Sequence, residues 1–126
     1  MRVPILKQGT YLIATVQAGA TDTDFLKLRE DLLAMVGTIR ARGVIIDVTA
    51  LDVLDSFASR SLKSLAQMVK LRGADTVIVG IQPEVAFAMI QLGLTLPGIA
   101  TALDLEEGLL TLRERERERK ARAHDS

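Results

Sequence analysis

Three aspartates and one serine make up the group of side chains in this 126-residue chain that could do chemistry. Asp47 ends an apolar, β-branched run, Asp52 follows in a turn, and Asp55 with Ser56 begins a segment of helical periodicity. Clustered carboxylates can hold Mg²⁺ for phosphoryl transfer to an aspartate such as Asp47. The other assignment is structural, with Asp47 binding loop amides at the end of a strand and Asp55 capping a helix.

The sequence lacks the residues and motifs of other common catalytic sites. The only histidine is His124, and there is no cysteine. A hydrolytic triad needs a histidine held in a rigid site, and zinc sites draw on histidine and cysteine. No GxxxxGK[ST] loop occurs, and no GxGxxG follows a strand. The residues therefore favour a protein without catalytic activity, cofactor or metal, in which another protein modifies the Ser56 hydroxyl.

The position of Ser56 on its helix supports that interpretation. At about 100° per residue, the apolar side chains of this segment cluster on one side and Ser56 falls nearly opposite. Ser61 falls nearer the apolar side, and Ser59 lies on the flank. A phosphate on Ser56 would add close to two negative charges, which the amides and dipole of a helix N-terminus favour. The alternative is that Ser56 serves only as the N-cap.

Composition indicates one soluble domain. Lysine plus arginine equals aspartate plus glutamate at 16 each, and this balance gives no electrostatic footprint for nucleic acid. No apolar run approaches the roughly 20 residues of a membrane helix, and the N-terminus lacks the apolar stretch of a signal peptide. We expect a cytoplasmic protein that binds neither nucleic acid nor membrane.

Hydrophobic periodicity predicts an α/β domain with a mixed, mostly parallel sheet. Two short apolar runs around Gly9 form a predicted hairpin, after which helices and strands alternate. Arg-Gly pairs at 42–43 and 72–73 each precede a strand, 30 residues apart, the size of one βαβ crossover. Gly43 and Gly73 are expected to end the first two helices. Strands are predicted over residues 3–6, 11–16, 44–48, 76–79 and 99–103. The first helix is predicted to begin at a cap within residues 21–24 and to stop at Gly43, and further helices are predicted over 56–71, over 85–92 and from 105 onward.

The third helix and the C-terminal stretch stand apart from this pattern. Residues 85–92 are apolar almost all round, which predicts an interface with another protein; the alternative is deep burial in the core. Residues 113–120 alternate in charge with period two, so favourable and unfavourable helical pairs partly cancel. We predict a domain over residues 1–112 and a frayed or disordered charged tail over 113–126.

The order of elements resembles the STAS domain, the fold of anti-sigma factor antagonists. Residues 44–49, followed by Asp55-Ser56-Phe57, are similar to that family's phosphorylation segment. Within the family's stressosome branch some members carry a large N-terminal sensor domain and others are a STAS domain alone. This chain starts at its first strand and resembles the second type. Similarity to the stressosome branch lies at residues 4–7, 71–74, 79–86, 92–94 and 101–109.

The resemblance implies a SpoIIAA-like fold and a function in stress signalling. The expected protein is a stressosome scaffold subunit that sequesters an RsbT-type serine kinase and releases it when Ser56 is phosphorylated. Its expected partners are that kinase, RsbR-type STAS paralogues with N-terminal sensor domains, and copies of itself in a large assembly. Asp47, Asp52 and Asp55 would support the loop. The alternatives are a stand-alone antagonist of the SpoIIAA type and a small ligand- or metal-binding α/β domain.

Overall fold

The computed structural model describes residues 3–94, 96 and 98–125, and of residues 124 and 125 it describes the backbone alone. The elements in chain order are β1 Ile5–Gln8, β2 Tyr11–Thr15, α1 Asp22–Ile39, β3 Gly43–Asp47, α2 Ser56–Leu71, β4 Asp75–Val79, α3 Pro83–Gln91, β5 Ala100–Ala102 and α4 Leu105–Asp125. The strands form one sheet in the order β1-β2-β3-β4-β5. Strand β1 is antiparallel to β2, and the other neighbours are parallel. The predicted mixed, mostly parallel α/β fold is confirmed.

Helices cover both faces of the sheet. On one face, fully buried strand residues such as Ile46 and Ile78 share a core with α1, α2 and α3. On the other face, Ile45 packs in a second core with Leu112 of α4. A strand covered on both faces has apolar residues at successive positions. This double burial explains the continuous apolar run through β3.

Two glycines were predicted to end helices, and one of these predictions is wrong. Helix α1 ends at Ile39, and Arg40 takes the left-handed conformation with φ of 56°. Gly43 is instead the first residue of β3, where a Cβ would lie 2.8 Å from the Leu112 side chain. Its missing side chain therefore lets α4 approach the sheet closely. Gly73 follows the end of α2 as predicted, with φ of 86°.

The charged C-terminal stretch belongs to α4, which continues without a break to Asp125. The predicted domain boundary at residue 112 thus falls inside a helix. The Tyr11 hydroxyl donates to Glu116 Oε2 over 3.5 Å, and the Arg119 guanidinium pairs with the Asp75 carboxylate at 3.0 Å. Burial raises the pKa of the Tyr11 phenol above its ordinary value, and the Glu116 carboxylate adds to the shift. These contacts tie α4 to the amino ends of the strands.

Candidate functional site

The loop between β3 and α2 is held by the last residue of the strand. Asp47 Oδ1 accepts hydrogen bonds from the Thr49 amide at 2.9 Å and from the Thr49 hydroxyl at 2.5 Å. Further along, the side chains of Leu51 and Leu54 are buried in the core. The loop is therefore pinned at its start and middle before α2 begins. The predicted structural use of Asp47, as an acceptor for a loop amide, is confirmed.

Helix α2 begins with an aspartate cap and an exposed serine. Asp55 is the N-cap, and its carboxylate accepts from the Ala58 amide at 2.8 Å. Ser56 is the first helical residue and is exposed to solvent. Within the described part of the chain its hydroxyl has no hydrogen-bond partner. The alternative assignment of Ser56 as the N-cap is wrong, because Asp55 fills that position.

The neighbouring serines on α2 are buried. Ser59 keeps 4% of its surface exposed and Ser61 keeps 8%. The Ser59 hydroxyl has no hydrogen-bond partner among the described residues, and it lies on the side of α2 that faces the core. Helical periodicity predicted a flanking position for Ser59, and the structure places it deeper. Of Ser56, Ser59 and Ser61, Ser56 alone presents an exposed hydroxyl.

Residues of the next loop complete the support for this site. Gln82 Nε2 donates to the Thr49 carbonyl oxygen at 2.6 Å. Gly80 has a φ of 80°, and a Cβ there would overlap the Thr49 hydroxyl. Sequence reasoning missed Thr49, Gly80 and Gln82 as parts of the site. The one signal in the sequence was a glycine directly after an apolar strand, which is typical of a position that needs positive φ or a close approach.

The aspartates do not form a metal centre in the described structure. Among the side chains that the structure describes, those of residues 3–94, 96 and 98–123, no three His, Cys, Asp or Glu residues are grouped so that they could hold a metal ion. Asp47 already serves Thr49, and Asp55 already caps α2. Asp52 is exposed, and with Asp55 it lines a cavity of about 270 Å³ beside the loop after β2. The arrangement therefore presents the exposed Ser56 hydroxyl beside two exposed carboxylates, on a loop held by hydrogen bonds.

A second candidate surface lies around α3. Val85 and Met89 of α3 are buried, so the helix is anchored to the core. Other apolar side chains near it remain open to solvent, and we call this group the α3 surface. Beside it, a groove of about 550 Å³ runs between α3, β5 and the start of α4. Deep burial of the whole helix, the alternative drawn from sequence, is wrong. The α3 surface consists of Phe87, Ile90, Leu92 and Leu103, which are 62–82% exposed.

Among the described residues, no helix combines the length and the apolar character that crossing a membrane requires.

Residues 6–107 match the family model of the STAS domain. The chain is 33% identical over 94 residues to the RsbT co-antagonist protein RsbRA of Bacillus subtilis (strain 168), a match that covers 74% of this chain and 34% of that protein. With RsbRB of the same organism it shares 28% identity over 105 residues, covering 82% and 37%. The chain therefore spans about a third of the length of these curated relatives.

Solved structures show the same architecture. A substituted form of Moorella thermoacetica RsbS matches with a TM-score of 0.80 and 36% identity, covering 91% of this chain and 97% of that one. A chain from the stressosome, described as a signal integration and transduction hub, matches with a TM-score of 0.74 and 35% identity, covering 90% and 99%. Unphosphorylated SpoIIAA, at 11% identity and a TM-score of 0.67, covers 90% and 97% and shares the fold alone. With a family match over most of its length and this shared architecture, the chain belongs to the STAS domain family.

Proposed function

We propose that this chain is a stressosome-type STAS subunit that retains an RsbT-type serine kinase until Ser56 is phosphorylated. The observation that carries the proposal is the exposed, unpartnered hydroxyl of Ser56 at the first position of α2. A kinase can reach this hydroxyl without unfolding the helix. The similarity to RsbS and the names of the RsbT co-antagonist relatives support the choice of signalling system.

The phosphate changes the surface and leaves the fold intact. It adds about 1.5–2 negative charges at pH 7. The free amides and positive dipole end of α2 stabilise that charge, so the helix tolerates it. Asp52 and Asp55 lie close by in sequence, and both are exposed. The modified site therefore becomes strongly acidic, which repels an acidic partner surface and weakens a contact that depends on a neutral hydroxyl.

The chain acts in this proposal without catalysing a reaction itself. Two of the three loop aspartates have structural tasks, since Asp47 binds Thr49 and Asp55 binds the Ala58 amide. Purified protein with Mg²⁺ and ATP should show neither turnover nor self-phosphorylation. Sustained ATP hydrolysis that Asp47→Asn abolishes would instead support the phosphoryl-transfer alternative.

The kinase step is tested with three variants. Wild-type protein, Ser56→Ala and Ser59→Ala are each mixed with an RsbT-type kinase, and ATP is added. Mass spectrometry locates the phosphate, and size exclusion measures the released kinase. Ser56→Ala should retain the kinase after ATP, whereas Ser59→Ala should release it as the wild type does. Phosphorylation and release with Ser56→Ala would show that the assignment is wrong. Ser56→Asp should mimic the phosphate in part, because a carboxylate carries less charge and fewer oxygens.

Assembly with other STAS domains is assigned to the α3 surface. Exposed apolar patches of this kind usually mark protein interfaces, and the similarity to a stressosome chain supports copies of this chain and RsbR-type paralogues as the occupants. Ile90→Arg should reduce assembly in light scattering. Leu71→Arg is the matched control, because Leu71 is 89% exposed and lies outside the α3 surface. Equal assembly by both variants would show that the interface lies elsewhere on the surface.

A further inference from the structure

The arginines of the two Arg-Gly pairs, Arg42 and Arg72, line one cleft at the amino ends of the parallel strands. Arg42 precedes β3 and Arg72 follows α2, so both lie at the amino ends of the parallel strands. Together with Arg40, at the end of α1, they line one cavity of about 350 Å³. Three arginines from three chain segments thus converge on one concave surface, which we call the arginine cleft.

The charges of the arginine cleft are not neutralised by the protein. Arg40, Arg42 and Arg72 are exposed, and within the described residues none of them pairs with a carboxylate. The nearby Asp75 carboxylate is already paired with Arg119 at 3.0 Å. The carboxyl ends of α1 and α2 contribute about half a negative charge each. Three guanidinium groups outweigh these dipoles, so the cleft stays positive.

A glycine inside α1 makes room for one of these arginines. Gly37 lies in the last turn of α1, and a Cβ on it would lie 2.7 Å from Arg72 Nη1. Glycine inside a helix is less stable than alanine, so its presence here calls for a local reason. The Arg72 guanidinium therefore rests against the helix at a position that a larger residue would deny it. The contact brings the Arg72 side chain against α1, the helix that ends beside Arg40.

We propose that the arginine cleft binds a small phosphate-bearing anion. Guanidinium groups match phosphate oxygens in planar, bidentate hydrogen bonds, and several guanidinium groups favour a multiply charged ligand over a single carboxylate. The volume lies within the range of small-molecule sites. The cleft lies away from Ser56, since Arg42 precedes β3 and Ser56 begins the helix that follows it.

Amide NMR titration of the whole labelled chain with sodium pyrophosphate, at constant ionic strength, tests the proposal. The resonances of Gly37 and Gly73, which line the cleft, should shift in a saturable way. Orthophosphate should bind more weakly, because it carries less charge. The double variant Arg42→Gln/Arg72→Gln should lose about tenfold or more in affinity, a loss of about 1.4 kcal/mol. Arg60→Gln, which removes one exposed arginine from the other end of α2, should bind as the wild type does.

Gly37→Ala separates a shaped site from a general positive field. This variant keeps all three arginines and adds helix propensity, so it should fold. Its Cβ displaces Arg72, and affinity should fall several-fold. Unchanged binding by Gly37→Ala, equal losses in the Arg60→Gln control, citrate bound as tightly as pyrophosphate, or no saturable shift would each overturn the proposal. Loss confined to the cleft variants, with pyrophosphate preferred over citrate, would establish it.

Discussion

Replacing Gly80 by alanine tests how the loop before Ser56 is held. Gly80 follows β4 with a φ of 80°, in the left-handed region. A Cβ there would overlap the Thr49 hydroxyl, which donates to Asp47 Oδ1 at 2.5 Å. The substitution therefore displaces the loop through its contact with Thr49, although the changed residue lies after β4 and outside the loop.

The size of the effect follows from two separable contributions. A residue with a Cβ loses about 1–2 kcal/mol in the left-handed conformation. Moving Thr49 also weakens its solvent-exposed bond to Asp47, which adds about 1 kcal/mol. We expect Gly80→Ala to lower the free energy of unfolding by about 2–3 kcal/mol. Gly19 is the matched control, because it has the same φ of 80° and nothing lies within 4 Å of its added Cβ. Gly19→Ala should therefore lose the first contribution alone.

Urea unfolding followed by circular dichroism measures both variants. The slope against urea should be common to them, and the midpoint of Gly80→Ala should be clearly lower than that of Gly19→Ala. Gly80→Ala in a Thr49→Ala background should show a smaller additional loss, because the overlapping hydroxyl is gone. Changes in the free energy of unfolding at separate sites add to within about 0.5 kcal/mol. If Gly80→Ala and Gly19→Ala lower the free energy of unfolding by amounts that agree within this margin, the contact with Thr49 does not hold the loop.

Three further outcomes follow from the contacts of the helices. Tyrosinate absorbance should show that Tyr11, the only tyrosine of the sequence, has a pKa above its ordinary value. Glu116→Gln should lower that pKa, and an unchanged pKa in this variant would mean that α4 does not lie against β2. The Thr21 amide donates to the Asp24 carboxylate at 2.9 Å and holds the pKa of Asp24 below its ordinary value. The charged carboxylate therefore stabilises the fold above about pH 4, and this stabilisation is lost as the pH falls through the lowered pKa. In Asp24→Asn the free energy of unfolding should depend less on pH in the acid range. Leu112→Ala should lower the free energy of unfolding by about 2–5 kcal/mol, measured by urea unfolding, because Leu112 is 2% exposed on the side of α4 that packs against the sheet. A loss under about 1 kcal/mol would contradict that packing.

Local signals in the sequence predicted α2 closely. Its predicted span, residues 56–71, agrees with the observed Ser56–Leu71. An aspartate cap and a following glycine each act within a few residues, so the chain alone specifies them. The end of α1 was predicted wrongly because Arg40, rather than a glycine, takes the left-handed conformation. A non-glycine residue in that conformation leaves no reliable mark in sequence.

Contacts between distant residues were beyond reach of the sequence. Gln82 and Thr49 are separated by 33 residues, and Tyr11 and Glu116 by 105. Periodicity shows which face of a helix is apolar, but it does not show how far a neighbouring helix covers the flank. Ser59 illustrates this, because its flanking position on α2 is buried where α2 packs into the core. The family resemblance predicted the fold, which is confirmed, and Ser56 as the regulatory site, which stays a prediction; the structure added the residues that hold the loop.

The loop between β3 and α2 is anchored by several contacts, and it leads to Ser56, which is exposed at the start of α2. Asp47 and Gln82 both bind Thr49, and Leu54 is buried beyond it, so the chain reaches Ser56 along a fixed path. The Ser56 hydroxyl itself makes no contact that the fold depends on, so a phosphate there would break no native interaction. The main effect of the phosphate would be on the electrostatic potential of the surface that a partner contacts. A phosphate on buried Ser59 would instead require α2 to separate from the core, which is why the exposed serine is the better switch.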